Sequence, residues 1–302
     1  MQPSGEQWEI HHRDQSATVV EVGGGLRTYE AGGVAVLDGY AVDEMCSGGR
    51  GQALVPWPNR LDAGRYTFGG RQLQLPINEV DKGNAIHGLV RWAGWRLVDR
   101  EPNRVRVGHV LHPQPGYPFT LAIEIDYELD DTGLNVIVKA TNRGREPLPY
   151  GSGHHPYLTV GEETIDTARV QFDAGRVIRV DDRRLPIDVV DVASAGIDLR
   201  KPMVLGDVQL DVTYTDLARE DGGRAWFEMR SGQTDRRVRL WMGPSYTHVM
   251  LFSGDTLAPG RRRRGLAVEP MTCAPNAFVT GAGVIALEPG ASHASYWGIS
   301  PL

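Results

Sequence analysis

An alternation of large apolar with small or acidic side chains constrains the fold of this chain more than any other local feature. It runs from Leu121 to Leu129, with Ile123, Ile125 and Tyr127 at every second position between them. Such a period of two is typical of a strand with one buried face. Turn residues follow at 130–133, and a second apolar run resumes at 134–141. The two runs together predict an antiparallel hairpin.

Short apolar runs of the same kind recur along the chain. They predict further strands at 104–107, 170–172 and 238–242, among 37 glycines and 19 prolines that punctuate the sequence with turns. Few segments have the 3.6-residue period of a helix, and strands do not alternate with helices as they do in parallel α/β folds. Because all-β domains often run long, we expect residues 1–302 to form one all-β domain, an antiparallel two-layer sandwich.

Composition and charge narrow the possible functions. Hydrophobic residues make up 41% of the chain and charged residues 23%, as in soluble globular proteins. The net charge of -6 and the pI of about 5.9 offer no basic surface for nucleic acid or an anionic membrane. We therefore expect a small-molecule partner, with no nucleic acid and no membrane, and a protein that is a monomer or homodimer.

The N-terminal residues lack the basic and apolar segments of a secretory signal, and no run approaches the roughly 18 apolar residues of a membrane span. We expect a cytoplasmic protein. Two cysteines, Cys46 and Cys273, lack the spacing of a zinc site and are interpreted as reduced, structural thiols.

Several familiar catalytic motifs are missing, among them the phosphate-binding loop, the nucleophile elbow and the zinc-protease motif. What remains is a set of polar residues set among glycine, proline and aromatic residues, where loops commonly carry functional sites. They are Asn59, Arg60, His87, His154, His155, Asp211 and Glu269. Each alone is more typical of a structural position than of a site.

Taken in order, these residues resemble a known family. Asn-Arg-x-x-x-Gly-x-Tyr-x-Phe-x-Gly begins at Asn59, and Asn-x-x-His-Gly begins at Asn84. His155 opens His-Pro-Tyr, Asp211 lies in Leu-Asp-x-x-Tyr, and Glu269 opens Glu-Pro, with Asn-Ala-Phe following at 276–278. Five blocks in register over residues 59–278 are similar to the aldose 1-epimerases, the galactose mutarotase family.

The resemblance implies a fold and an activity. Members of the family fold as a β-supersandwich and interconvert the α and β anomers of a free aldose, without a cofactor or a metal. His155 then corresponds to the catalytic histidine and Glu269 to the catalytic glutamate. By the same correspondence, His87, Arg60 and Asp211 contact sugar hydroxyls, and Asn59 lies in or just behind that shell.

The chemistry of mutarotation suits those residue types. Opening a hemiacetal requires a carboxylate that takes the proton of the anomeric hydroxyl and an imidazolium that protonates the ring oxygen. We expect the carboxylate of Glu269 to raise the pKa of His155 and so preserve its donor form. Trp57 and Tyr157 either face the apolar side of the sugar or pack in the core.

The chain departs from some members of the family, and alternatives stay open. It has no glutamine near 245–248, and Leu158 and Thr159 follow the tyrosine where those members carry Phe-Asn. The identity of the aldose is therefore undetermined. An anionic hexose is an option if Arg50 or the run Arg261–Arg264 lines the site, although such a run more often lies in solvent.

Three other classes of function compete with the mutarotase. A glycosidase would pair Asp211 with Glu269. A metal enzyme would use a ligand set of histidines 87, 154 and 155 with Glu269. A sugar sensor would keep the binding residues and need no acid/base pair.

Overall fold

The structure is a computed structural model that describes residues 2–302. It contains 48% strand and 4% helix, which confirms the all-β prediction. The strands are β1 Gln7–His12, β2 Gln15–Val20, β3 Leu26–Ala31, β4 Val34–Ala35, β5 Ala53–Leu54, β6 Arg60–Asp62, β7 Arg65–Phe68, β8 Arg71–Gln74, β9 Asn84–Ile86, β10 Arg96–Glu101, β11 Arg104–Leu111, β12 Leu121–Asp130, β13 Gly133–Asn142, β14 Leu148–Tyr150, β15 Gly153–His154, β16 Tyr157–Leu158, β17 Arg169–Phe172, β18 Ala174–Val180, β19 Pro186–Asp191, β20 Met203–Val204, β21 Asp211–Leu217, β22 Ala225–Arg230, β23 Arg237–Met242, β24 His248–Phe252, β25 Leu266–Met271, β26 Ile285–Leu287 and β27 Ser292–Pro301. Two short helices complete the list, α1 Val192–Ala195 and α2 Ala277–Thr280, with a 3-10 turn at Pro259–Arg261.

The strands form two large antiparallel sheets. One has nine strands in the order β10-β11-β12-β13-β27-β23-β22-β17-β20. The other has eight, in the order β19-β18-β21-β24-β25-β15-β5, with β16 also paired to β25. Both sheets contribute to one continuous cluster of buried apolar residues. This arrangement agrees with the two-layer antiparallel fold expected from the sequence.

The hairpin predicted at 121–141 forms the centre of the nine-stranded sheet. β12 and β13 pair from Leu121 with Asn142 to Asp130 with Gly133, so only two residues make the turn. The Asp130 carboxylate accepts hydrogen bonds from the backbone N–H and the hydroxyl of Thr132, which closes that turn. Along β12 buried positions alternate with more exposed ones, as the sequence pattern requires.

The eight-stranded sheet is less regular, and its strands beyond β25 are short. β5, β15 and β16 have two residues each, whereas all six residues of β25 are buried. A strand buried on both faces normally carries apolar side chains only. The presence of Glu269 in β25 therefore marks the place where this sheet serves something besides packing.

Smaller sheets surround these two. β1 to β4 form a four-stranded sheet, and β6 pairs with β9, β7 with β8 and β14 with β26. The β6–β9 pair brings residues 60–62 beside residues 84–86, so two of the sequence blocks meet here. Within residues 2–302 no helix has the length and apolar character needed to cross a membrane.

Candidate active site

The register of β25 places His155 opposite Glu269. Gly153 of β15 pairs with Met271, and Tyr157 of β16 pairs with Ala267. Both short strands therefore pair with β25, with a break between them. Counting inward from both pairs, residue 155 faces residue 269. The break coincides with Pro156, which has no N–H to donate to the ladder. The His155 side chain is therefore held against the middle of β25.

His155 and Glu269 make a buried polar contact. Their Nε2 and Oε1 atoms are 3.3 Å apart, and the side chains are 6% and 3% exposed. The second carboxylate oxygen, Oε2, is buried and has no hydrogen-bond partner among residues 2–302. A buried carboxylate oxygen without a partner is costly and uncommon in a purely structural position. It leaves one acceptor of Glu269 available to a ligand.

Side chains on successive strand residues point to opposite faces, which separates the two adjacent histidines. The His154 ring lies 5.0 Å from the Trp297 ring in β27 of the other sheet, and neither of its nitrogens has a hydrogen-bond partner among the described residues. The His155 ring instead lies 5.4 Å from His87, edge to face. The structure thus brings His155, and not His154, to the carboxylate of Glu269.

The loops after β9 and before β6 position His87. The backbone N–H of Asn59 donates to His87 Nδ1 over 3.2 Å, and the backbone N–H of His87 donates to the Asn59 carbonyl over 3.0 Å. Both residues have positive φ, and a Cβ on the following Gly88 would lie 2.1 Å from the Val55 carbonyl oxygen. Glycine is therefore required in the Asn-x-x-His-Gly block. Since Nδ1 accepts, the neutral His87 ring carries its proton on Nε2.

Asn59 acts on the loop itself. Its side-chain Oδ1 accepts from the backbone N–H of Arg60 over 2.8 Å, while its main chain holds His87. The residue is 3% exposed. Asn59 therefore supports the loop that carries His87, and its place in or just behind a sugar-binding shell stays a prediction.

Arg60 and Asp211 line a cavity of about 10 Å3 together with Arg184 and Met250. Arg60 makes a bidentate contact with Glu79, with distances of 2.8 to 3.0 Å. The Asp211 carboxylate contacts the Arg184 guanidinium over 3.1 Å. A space of that volume holds about one water molecule.

Three side chains that support His155 were not identified as a group from the sequence: Tyr157, Arg50 and Asp38. The Tyr157 ring stacks on the His155 ring at 5.0 Å and 14°, and its hydroxyl donates to the Gly48 carbonyl over 2.9 Å. The Arg50 guanidinium lies over the Tyr157 ring, 4.4 Å from its centroid, and pairs with the buried Asp38 carboxylate. Tyr157 thus holds the imidazole in place. The Gly-rich segment around Arg50 looks like an ordinary loop, so no sequence signal revealed this group of side chains.

Trp57 packs against Phe278 at 5.7 Å and belongs to the core. The run Arg261–Arg264 has a structural role in three of its four residues. Arg261 pairs with Glu44, Arg263 with two aspartates, and Arg264 with Asp38. Arg50 and these three arginines are therefore already paired, whereas Arg262 is exposed and its Nε donates to the Leu257 carbonyl over 2.8 Å.

Burial governs the protonation of the central pair. It lowers the pKa of His155 to about 3, with Arg91 and Arg50 acting in the same direction. Burial also raises the pKa of Glu269 well above its usual value, with Asp211 adding to the rise while Arg60 and Arg91 oppose it. The expectation that the carboxylate raises the pKa of His155 is therefore wrong for the free site, because desolvation outweighs the attraction. In the free site, burial therefore favours the neutral form of both groups.

His87, His155 and Glu269 could together be considered for a metal ion, since one ligand atom from each lies within 4.8 Å of the others. His154 is not part of this group. Within residues 2–302 the donor set is limited to two imidazoles and one carboxylate, and His87 Nδ1 already accepts a hydrogen bond. Its Nε2 would have to lose a proton to bind a cation. The geometry therefore suits hydrogen bonding by His87 better than metal ligation.

Comparison with known proteins identifies the family. The family model for aldose 1-epimerase matches residues 6–300. The chain is 33% identical over 300 residues to the uncharacterized protein YihR of Escherichia coli K12, covering 99% of this chain and 94% of that one. It is 28% identical over 185 residues to the galactose mutarotase of Mus musculus, covering 58% and 51%. A GalM/aldose epimerase homologue from C. elegans has a TM-score of 0.88 at 19% identity, covering 98% of each chain.

This protein belongs to the aldose 1-epimerase family, and the resemblance drawn from the five sequence blocks is confirmed. The likeness to the solved structure shows that the fold is the galactose mutarotase-like β-supersandwich, as expected.

Proposed function

We propose that this protein is a mutarotase that interconverts the α and β anomers of a free aldose by acid/base ring opening. The observation that carries the proposal is the buried contact of His155 with Glu269 at 3.3 Å, in which one Glu269 oxygen is free to accept a sugar hydroxyl. Membership of the aldose 1-epimerase family supports an isomerase. The relative from Mus musculus is named a galactose mutarotase, which supports an aldohexose as substrate.

The proton count of the site is consistent with this reaction. When the anomeric hydroxyl donates to Glu269, it favours the carboxylate form, and the proton of the Glu269 carboxyl moves to His155. Ring opening then transfers the O1 proton to Glu269 and the His155 proton to the ring oxygen, and the pair returns to its neutral starting form. Rotation about C1–C2 and the reverse transfers close the ring on the other face. No net proton enters or leaves the site.

The remaining residues would bind the sugar during that rotation. His87 offers an N–H donor, which could stabilise charge that develops on an oxygen beside the pair. Asp211 and Arg60 would hold hydroxyls that do not react. Asn59 would fix the loop that presents His87.

Polarimetry of freshly dissolved α-anomers tests the proposal, with glucose and galactose as the first substrates. We expect catalysed mutarotation that is unchanged after dialysis against EDTA. Restoration of a chelator-sensitive rate by zinc or manganese would instead support a metal enzyme. Release of nitrophenol from a nitrophenyl glycoside would support a glycosidase. Sugar binding by calorimetry without any acceleration would support a sensor.

A further inference from the structure

Arg91 and His155 are held by the same residue, Gln52. Its Nε donates to Gln52 Oε1 over 2.9 Å, and Gln52 Nε2 donates to the Arg91 carbonyl over 2.8 Å. The Gln52 carbonyl in turn accepts from the backbone N–H of His155 over 3.2 Å. One glutamine therefore fixes the arginine and the histidine relative to each other.

Arg91 differs from the other arginines whose charge acts on the site. Arg50 is paired with Asp38, and Arg60 is paired with Glu79. No carboxylate among residues 2–302 forms an ion pair with Arg91, and its one side-chain hydrogen bond within that range uses Nε. Nη1 and Nη2, the two terminal nitrogens of the guanidinium, have no hydrogen-bond acceptor in that range, and Cζ lies 5.8 Å from the centroid of the Trp92 ring.

Holding this cation without an acid is costly. Arg91 is only partly exposed, and burial lowers its pKa. Its charge also lowers the pKa of both His87 and His155. An unpaired, partly desolvated guanidinium in a site is unfavourable unless an anion binds to it. The arrangement is typical of a site that recognises a negatively charged group.

The sheet order shows which end of a sugar would meet Arg91. Along β21-β24-β25-β15-β5, Asp211 begins β21 on one side of Glu269, and Gln52 directly precedes β5 on the other side. His155 lies on the side of Gln52. In the proposed function, His155 protonates the ring oxygen, which is bonded to C5, and C5 carries C6 in a hexopyranose. The C6 substituent would therefore lie on the flank of the site that holds Arg91.

We propose that Arg91 binds an anionic group on C6 of an aldohexose, so that the enzyme prefers an acidic sugar to glucose or galactose. This inference rests on the proposed mutarotase function and names its substrate class. One uncompensated guanidinium beside a neutral pair balances one negative charge. A sulfonate or a carboxylate carries one charge, whereas a phosphate monoester carries about 1.5 to 2. A singly charged substituent therefore matches this site best.

Exchange NMR of four sugars tests the proposal: glucose, glucuronate, 6-deoxy-6-sulfoglucose and glucose 6-phosphate. We expect kcat/KM for at least one of the two singly charged sugars to exceed that for glucose by about 10- to 100-fold, since a charge-assisted contact is among the stronger hydrogen bonds. Arg91→Gln should remove most of that advantage and cost glucose much less. Arg96→Gln removes a nearby exposed charge and should change each rate less than twofold.

Equal or faster turnover of glucose by the wild type would overturn the proposal, as would an equal loss for all four sugars in Arg91→Gln. The second result would mean that Arg91 acts only on the pair. A preference for glucose 6-phosphate would overturn the assignment of a single charge. If none of the sugars is turned over, the mutarotase function fails. Calorimetry then tests the anion site at Arg91 separately. Binding of 6-deoxy-6-sulfoglucose or glucuronate that is lost in Arg91→Gln would support the site. No binding of either sugar to the wild type would reject it.

Discussion

β12 in the nine-stranded sheet and β25 in the eight-stranded sheet are both central strands, yet their buried positions carry different chemistry. The buried side chains of β12 are apolar, apart from Tyr127, whose hydroxyl donates to the Gly24 carbonyl over 2.8 Å. β25 buries Glu269 at 2% exposure, and one of its carboxylate oxygens has no protein partner in residues 2–302. β12 gains stability from apolar burial along its length, whereas β25 holds a buried polar group at a cost.

The comparison shows that stability and function depend on different strands of this molecule. Apolar burial contributes roughly 25 cal/mol per Å2 and needs no special geometry beyond close packing. A buried carboxyl and imidazole reduce stability unless they are paired, and their pKa values move away from the usual range. Natural proteins accept that cost where the groups act on a ligand. Four experiments test whether stability and function are divided in this way, and they are given from the largest expected effect to the smallest.

The largest effect is expected from the pair itself. Glu269→Gln and His155→Asn should each lower kcat by about 10² or more, because a positioned base or acid is lost. The double variant should be little slower than the slower single variant, since the two groups act as a unit. Polarimetric rates measure all three, and circular dichroism checks that they fold.

His154→Asn is the matched control for that experiment, because the residue is adjacent but faces the other sheet. It should lower kcat much less than His155→Asn does. A larger loss at residue 154, or near-normal turnover in Glu269→Gln, would contradict the assignment of the pair.

In the nine-stranded sheet, Ile125→Ala should lower the free energy of unfolding by about 2–5 kcal/mol, because Ile125 is fully buried and the substitution leaves a cavity. Denaturant unfolding measures the change. Turnover of the folded fraction should stay within about twofold of the wild type. A loss of turnover as large as that of Glu269→Gln would mean that the two sheets do not divide stability from function.

His154 tests the pH dependence of stability. Burial lowers its pKa from 6.5 to about 3, so the neutral ring stabilises the folded state above pH 6.5, and this contribution is lost as the pH falls from 6.5 toward 3. His154→Leu should remove it. Between pH 7 and pH 5, the variant should lose about 2 kcal/mol less stability than the wild type. Parallel curves for the two proteins, from urea unfolding at each pH, would contradict a buried neutral histidine.

The smallest effect concerns recognition. Asp211→Ala and Arg60→Ala should raise KM by about tenfold, roughly 1.4 kcal/mol, with less change in kcat, because hydroxyls that do not react bind equally in the ground and transition states. Arg184→Ala breaks the ion pair with Asp211 but keeps the acceptor, so its KM should rise less. A fall of several decades in kcat at constant KM would place either residue in the proton transfers.

Much of the fold could be predicted from the sequence. The strands expected at 104–107, 170–172 and 238–242 fall within β11, β17 and β23, and the hairpin of β12 and β13 has the expected turn. These elements are encoded locally, by period-two alternation and by turn residues next to it. The family was also identified from sequence, because its blocks are short and keep their order along the chain.

The site was only partly predictable. Glu269, His155 and His87 do come together, with Asn59 behind them and Arg60 and Asp211 at one end. Arg91 was missed, although it lies four residues after His87. It belongs to no recognisable sequence motif, and it stands out only because no carboxylate in the described part of the chain pairs with it. The direction of the His155 pKa was also wrong, since the sequence shows the neighbouring charge but not the degree of burial.

The sequence contains the local alternation, the turns and the order of the polar blocks. These patterns were enough to predict the antiparallel architecture and the family. The face of the sheet that each histidine occupies, and which of the arginines that act on the site have a carboxylate partner, depend on the tertiary structure. The physical reason is that strand patterns depend on neighbours within a few residues of the chain. Charge compensation and desolvation depend on groups that are distant in sequence, and they are fixed only when the sheets pack together.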